Sequence, residues 1–87
     1  MKIIEANNPL RLYTIIENKE ILLQVEDNET MLTITKSKRS NKPASKCVIL
    51  WEGQPEDFAT NYKGLMEYGQ IDYNKAFINF LNSINHQ

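Results

Sequence analysis

The spacing of hydrophobic residues changes once along the chain, between Trp51 and Phe58. Before this segment, apolar residues alternate with polar ones or form short runs between turn residues, which is typical of strands. After it, they recur every three or four residues, which is typical of helices. The sequence therefore predicts a strand-forming half, residues 1–52, and a half with two helices, residues 54–87.

Four segments of the first half are predicted strands joined by turns, and they are residues 2–5, 11–17, 20–26 and 30–36. Asn7-Asn8-Pro9 is the first predicted turn, and Asn18-Lys19 and Asp27-Asn28 are the next two. Residues 47–51 are apolar on both faces and are expected to pair with residues 30–36. The prediction is an antiparallel meander sheet of four to five strands.

The second half begins with a helix-start signal. Gly53 or Gln54 is the expected cap, and Pro55 suits the first helical position. Glu56 and Asp57 follow, where negative charge complements the positive end of the helix dipole. The predicted inward stripe of this helix consists of Phe58, Ala59, Tyr62, Leu65 and Met66.

The two remaining glycines are assigned to this first helix. Gly64 falls in mid-helix, where close packing is one reason to tolerate a glycine. Gly69 is the expected left-handed residue that ends the helix. Asp72 then caps a second helix with Tyr73, Phe77, Phe80 and Ile84 on its apolar face and with Asn74, Lys75, Asn79, Asn82 and Ser83 on its polar face.

These elements predict an α+β fold in a single domain, residues 1–87, with the two-helix hairpin packed on one face of the sheet. A chain of 87 residues supports only one core. A helix-turn-helix is the other interpretation of the helices, but the second helix has a single basic residue, Lys75. An αα-hairpin that covers the sheet is therefore favoured.

Composition points to a cytoplasmic protein. The formal net charge is −1, which by itself indicates no polyanionic partner. The longest apolar run, Val48 to Trp51, is far shorter than the roughly 20 residues that span a bilayer, and the N-terminus has no export signal. Cys47 is the only cysteine, so an internal disulfide is not expected.

A basic segment, residues 36–46, is the main candidate for a contact with a partner. It contains five of the ten basic residues and no acidic one, and we expect it to be a protruding hairpin loop. Such a cluster suits a phosphate backbone because binding releases counterions. A solvated loop, or a contact with an acidic protein surface, is the alternative. The candidate residues are Lys36, Lys38, Arg39, Lys42 and Lys46.

Catalytic, metal and cofactor sites are not predicted. Cys47 lies in an apolar segment without a nearby histidine, and His86 is next to the C-terminus. The three glycines are isolated and form no phosphate-binding loop. Core packing is the first interpretation of the aromatic residues near the helices, and a partner-binding surface is the second; they are Trp51, Tyr62, Tyr68 and Tyr73.

Residues 50–80 resemble the C-terminal segment of RteC-like regulators of conjugative elements. The resemblance lies in Leu50-Trp51-x-Gly53, Asp57-Phe58-Ala59, Tyr62, Leu65, Gly69-x-Ile71, Phe77 and Phe80. It implies a regulatory module without enzymatic activity and assigns no binding residue. The preceding strands have no counterpart in that segment.

The sequence therefore predicts a small non-catalytic binding or regulatory protein that acts through a protein–protein surface. The alternative is a nucleic-acid-binding regulator that uses the basic segment. A homodimer is also considered, because an open sheet leaves unpaired edges.

Overall fold

The computed structural model describes residues 3–7, 10–17, 19–26, 31–38 and 48–85. Within these residues five strands precede two helices, with a short 3₁₀ turn between the helices. The α+β class, with an antiparallel sheet and two helices, is confirmed. The elements are β1 (Ile4–Asn7), β2 (Leu10–Ile16), β3 (Lys19–Glu26), β4 (Met31–Lys38), β5 (Val48–Gly53), α1 (Pro55–Asn61), the 3₁₀ turn (Glu67–Gly69) and α2 (Tyr73–Asn85).

The strands follow one another in chain order across the sheet, from β1 to β5. β1 pairs with β2, β2 with β3 and β3 with β4, all antiparallel. Leu12 near the middle of β2 lies opposite Glu5 on one side and Leu23 on the other. This register aligns the apolar positions of β2 and β3.

The two faces of the sheet differ in exposure because side chains alternate along a strand. One face contains a buried set: Leu12, Thr14, Ile21, Leu23 and Val25. Thr14 is the polar member of this set. Among the described residues, no buried side-chain nitrogen or oxygen lacks a hydrogen-bond partner.

Strand register corrects two sequence predictions in this half. Asn7 pairs with Leu10, so it belongs to β1 rather than to a turn. Ile16 pairs with Lys19, so Lys19 belongs to β3 rather than to the second predicted turn. Glu17 accordingly has a left-handed backbone, with φ of 51°. The predicted turn at 27–28 and Cys47 lie outside the described residues.

α1 begins as the sequence predicts and ends earlier than predicted. Gln54 is the cap residue and Pro55 is the first helical residue. The helix ends at Asn61 because Lys63 turns left-handed, with φ of 56°. The N–H of Gly64 then donates to the carbonyl of Ala59 at 2.8 Å, the long bond of a Schellman motif.

Gly64, Leu65 and Met66 therefore lie beyond α1, and the prediction that they belong to it is wrong. Gly69 is left-handed, with φ of 76°, but it ends the 3₁₀ turn rather than α1. A left-handed residue stops a helix because its N–H and C=O no longer point along the axis. Lys63 meets that condition first.

α2 begins at the predicted cap. The N–H of Lys75 donates to Oδ1 of Asp72 at 3.0 Å. Phe77 and Phe80 are buried as predicted, while Tyr73 and Ile84 are half-buried. Ala76 and Leu81 are buried beside them, which widens the apolar stripe.

The chain divides into two compact units, Met1–Glu52 and Gly53–Gln87. The prediction that residues 1–87 form a single domain stays a prediction. So does the prediction that the two helices pack on one face of the sheet. Within the described ranges, none of the helices combines the length and the apolar character that crossing a membrane requires.

Candidate functional site

The basic segment is partly strand. Lys36, where the predicted strand 30–36 meets the basic segment, and Lys38 both belong to β4, so the prediction that Lys38 is a loop residue is wrong. They extend the strand because β3 offers pairing partners, Ile21 for Lys36 and Lys19 for Lys38. Arg39, Lys42 and Lys46 lie outside the described residues. Because Lys19 pairs with Lys38, Lys19 joins the basic positions at the end of β4. The sequence pattern alone does not show this pairing.

The aromatic residues near the helices separate into two groups. Tyr62 packs in a cluster with Phe58 and Phe80: its ring centroid lies 5.0 Å from that of Phe58 and 5.2 Å from that of Phe80. The ring of Tyr62 meets that of Phe80 edge to face, an arrangement that aromatic pairs favour. Tyr68 is the opposite case, because 97% of its surface is exposed.

Tyr68 lies in the segment between the helices, residues 64–72, which we call the inter-helix loop. Two short backbone hydrogen bonds close this loop. The N–H of Met66 donates to the carbonyl of Gln70 at 2.7 Å, and the N–H of Asp72 donates to the carbonyl of Gly64 at 2.7 Å. Leu65 and Ile71 form a β-bridge between these bonds. The loop is therefore a small hairpin with a defined backbone.

Close packing connects the base of the loop to α2. Gly64 is buried, and a Cβ atom at this position would lie 2.6 Å from Cβ of Ala76 and 2.8 Å from the carbonyl oxygen of Asp72. Only glycine fits there without displacing its neighbours. A second contact ties the end of α1 to α2: Nδ2 of Asn79 donates to the carbonyl of Tyr62, the residue after α1, at 2.7 Å. Asn79, predicted on the polar face, is thus an inter-helix contact.

The tip of the loop exposes three large side chains. Leu65 is 52% exposed, Met66 is 44% exposed and Tyr68 is almost fully exposed. Tyr and Met are enriched at protein–protein interfaces, and Tyr contributes a large contact area with few rotatable bonds. Glu67, also exposed, places a negative charge between them. We call Leu65, Met66 and Tyr68 the apolar tip.

The backbone at the tip is unusual as well. Tyr68 has φ of 65° and ψ of 22°, and Gly69 follows with φ of 76°. An aromatic residue in the left-handed region is uncommon, because its Cβ crowds the backbone. A conformation of this kind persists only where the surrounding structure enforces it, and the bonds that close the loop provide that constraint.

Periodicity missed the apolar tip because Leu65 and Met66 continue the spacing of α1. The signal that could have found it is the pair of glycines five residues apart, since both favour breaks in a helix.

In the part of the chain that the structure describes, His, Cys, Asp and Glu side chains form no group of three or more that could hold a metal ion.

Comparison with known proteins adds no relative from which a site could be transferred. Neither a family model, nor a curated protein, nor a solved structure matches the chain. The resemblance of residues 50–80 to RteC-like regulators stays a prediction.

Proposed function

We propose that the protein is a small non-catalytic binding protein that docks to another protein through the apolar tip. The observation that carries this proposal is the presentation of Tyr68, nearly fully exposed on a closed loop next to Leu65 and Met66. A pre-ordered loop loses little conformational entropy on binding, which favours affinity. The partner would present an apolar pocket that receives the tyrosine ring.

The proposal can be tested by placing a photo-crosslinking phenylalanine analogue at position 68 of the full chain. Asn74 of α2, which is exposed and polar, is the matched control position. We expect crosslinking to a defined protein in an extract of the native host from position 68, and much less from position 74. Unlabelled wild-type protein should compete the crosslink away.

The captured protein should then be produced pure and titrated by calorimetry. Removal of a central interface aromatic commonly costs 2 kcal/mol or more, so Tyr68→Ala should raise the Kd by at least about 30-fold. Asn74→Ala should leave the Kd unchanged. Equal crosslinking at the two positions, or an unchanged Kd for Tyr68→Ala, contradicts the proposal.

A nucleic-acid-binding regulator is the second candidate, and one observation favours it. The register of β3 and β4 sets Lys19 opposite Lys38, with Lys36 two residues away. Basic positions gathered on two paired strands suit a phosphate backbone, because binding releases counterions. The contact residues would be Lys36, Lys38, Arg39, Lys42 and Lys46, with Lys19 beside them.

Salt titration of binding to duplex and single-stranded DNA tests this second candidate. The affinity should fall steeply with salt, and Lys19→Gln should reduce the slope of log K against log salt by about 1. Lys75→Gln in α2 is the control and should not change the slope. A wild-type chain that binds neither DNA in low salt excludes this candidate.

A further inference from the structure

The second face of the sheet, opposite the buried set, carries a row of large side chains. Ile4 of β1 pairs with Tyr13 of β2, and Tyr13 pairs with Leu22 of β3. Paired residues point to the same face, with Cβ atoms roughly 5 Å apart. Ile15, two residues beyond Tyr13, lies on this face too. We call Ile4, Tyr13, Ile15 and Leu22 the sheet patch.

The sheet patch is accessible. Ile4 and Ile15 are 42% and 43% exposed, and Tyr13 and Leu22 are half-buried. Three of these residues, Ile4, Tyr13 and Ile15, line a shallow cavity of about 190 Å³ together with Thr14. Pockets for small molecules usually begin at roughly 300 Å³, so this surface suits a protein face better than a small ligand.

Opposite charges stand at the two ends of the patch. Arg11 precedes Tyr13 by two residues on β2 and is exposed, whereas Glu20 of β3 pairs with Ile15 beyond Tyr13. Arg11 itself pairs with Gln24, so the arginine and the glutamate are not opposed within one chain. Arg11 thus stands at one end of the patch and Glu20 at the other.

We propose that this face binds a second copy of the chain, with the two sheets stacked face to face about a two-fold axis. An axis that runs across the strands through the Tyr13–Leu22 row exchanges the ends of the patch. The Arg11 end of one copy then faces the Glu20 end of the other, twice in each dimer. The self-complementary charge pattern is what selects a second copy as the occupant.

The contact has the geometry of known sheet packing. Aligned sheets stack about 10 Å apart with their strands crossing at roughly 30°. The apolar row would form the centre of the interface and the two charge pairs its rim. This inference is independent of the proposed function, because its residues belong to β1, β2 and β3 rather than to the inter-helix loop.

Sedimentation of the full 87-residue chain over a range of concentrations tests the dimer, together with a charge-exchange series. Arg11→Glu and Glu20→Arg should each raise the dimer Kd at least about tenfold, because each sets like charges against each other. The double variant Arg11→Glu/Glu20→Arg should restore the Kd. Mixing the two single variants should give a heterodimer, since both of its charge pairs are then complementary.

Far-UV circular dichroism checks that each variant is folded, and Lys75→Glu in α2 is a control that should leave the Kd unchanged. A wild-type chain that stays monomeric at millimolar concentration overturns the inference, and so does a dimer that both single reversals leave intact. A mixture of the single variants that forms no heterodimer overturns it as well. Tyr68→Ala should leave the dimer intact, which separates this result from that of the proposed function.

Discussion

Gly64 approaches Ala76 so closely that a Cβ atom on the glycine would lie 2.6 Å from Cβ of the alanine. This contact joins the base of the inter-helix loop to the first turns of α2. It also explains why a glycine follows the end of α1. The position of the apolar tip depends on it, because Gly64 is the residue before Leu65.

We expect Gly64→Ala to destabilise the protein by about 1–3 kcal/mol, the usual cost of forcing an extra carbon into a packed site. Part of this loss should be recovered by Ala76→Gly in the same chain, because that change removes the nearest atom. Urea unfolding followed by circular dichroism measures both. Strictly additive effects of the two substitutions would contradict the close contact.

Gly69→Ala is the matched control for this prediction. No heavy atom lies within 4 Å of a Cβ built at Gly69, whose φ is +76°. The cost there should come from the left-handed backbone alone, about 1 kcal/mol. Ala76→Gly should give no recovery in this background.

Lys63→Gly should stabilise the protein by about 1 kcal/mol. Lys63 has φ of 56° at the end of α1, where its Cβ is unfavourable and glycine is not. Asn61→Gly provides the comparison, because Asn61 is the last helical residue and a glycine there should destabilise. Thermal unfolding of the two variants should shift in opposite directions, and a lower midpoint for Lys63→Gly would rule out the Schellman end.

Asn79→Ala should cost about 1 kcal/mol, the usual net value of a hydrogen bond in a protein. Its Nδ2 satisfies the carbonyl of Tyr62 at the end of α1, and that bond is partly buried. Asn79→Asp should cost at least as much, because a carboxylate has no proton to donate. Asn82→Ala, at an exposed position of α2, should change the free energy of unfolding by no more than about 0.5 kcal/mol. Equal effects at positions 79 and 82 would contradict the contact.

Asp72→Ala should cost about 1 kcal/mol because it removes the side-chain cap of α2. Asp72→Ser should retain most of the stability, since a serine hydroxyl also accepts a bond from the backbone. Chemical denaturation of both variants checks this. A serine variant as unstable as the alanine variant would mean that Asp72 acts in another way.

The sequence by itself determined the elements whose signals are local. Alternation predicted the strands, because a half-buried strand needs one apolar residue in two. Gln54, Pro55 and Asp72 marked both helix starts, because capping involves only residues within one turn. The apolar spacing of Phe77 and Phe80 likewise identified the buried face of α2.

Only the tertiary structure decided where elements end and which residues meet. α1 stops at Asn61, although the apolar spacing continues through Leu65, because Lys63 turns left-handed and Gly64 then packs against Ala76 of α2. β4 continues to Lys38, inside the basic segment, because Lys19 of β3 is there to pair with it. Both endings depend on partners that are distant along the chain, and periodicity carries no information about such partners. The exposed tip at Tyr68 follows from the early end of α1. This is why the candidate site could not be read from the sequence.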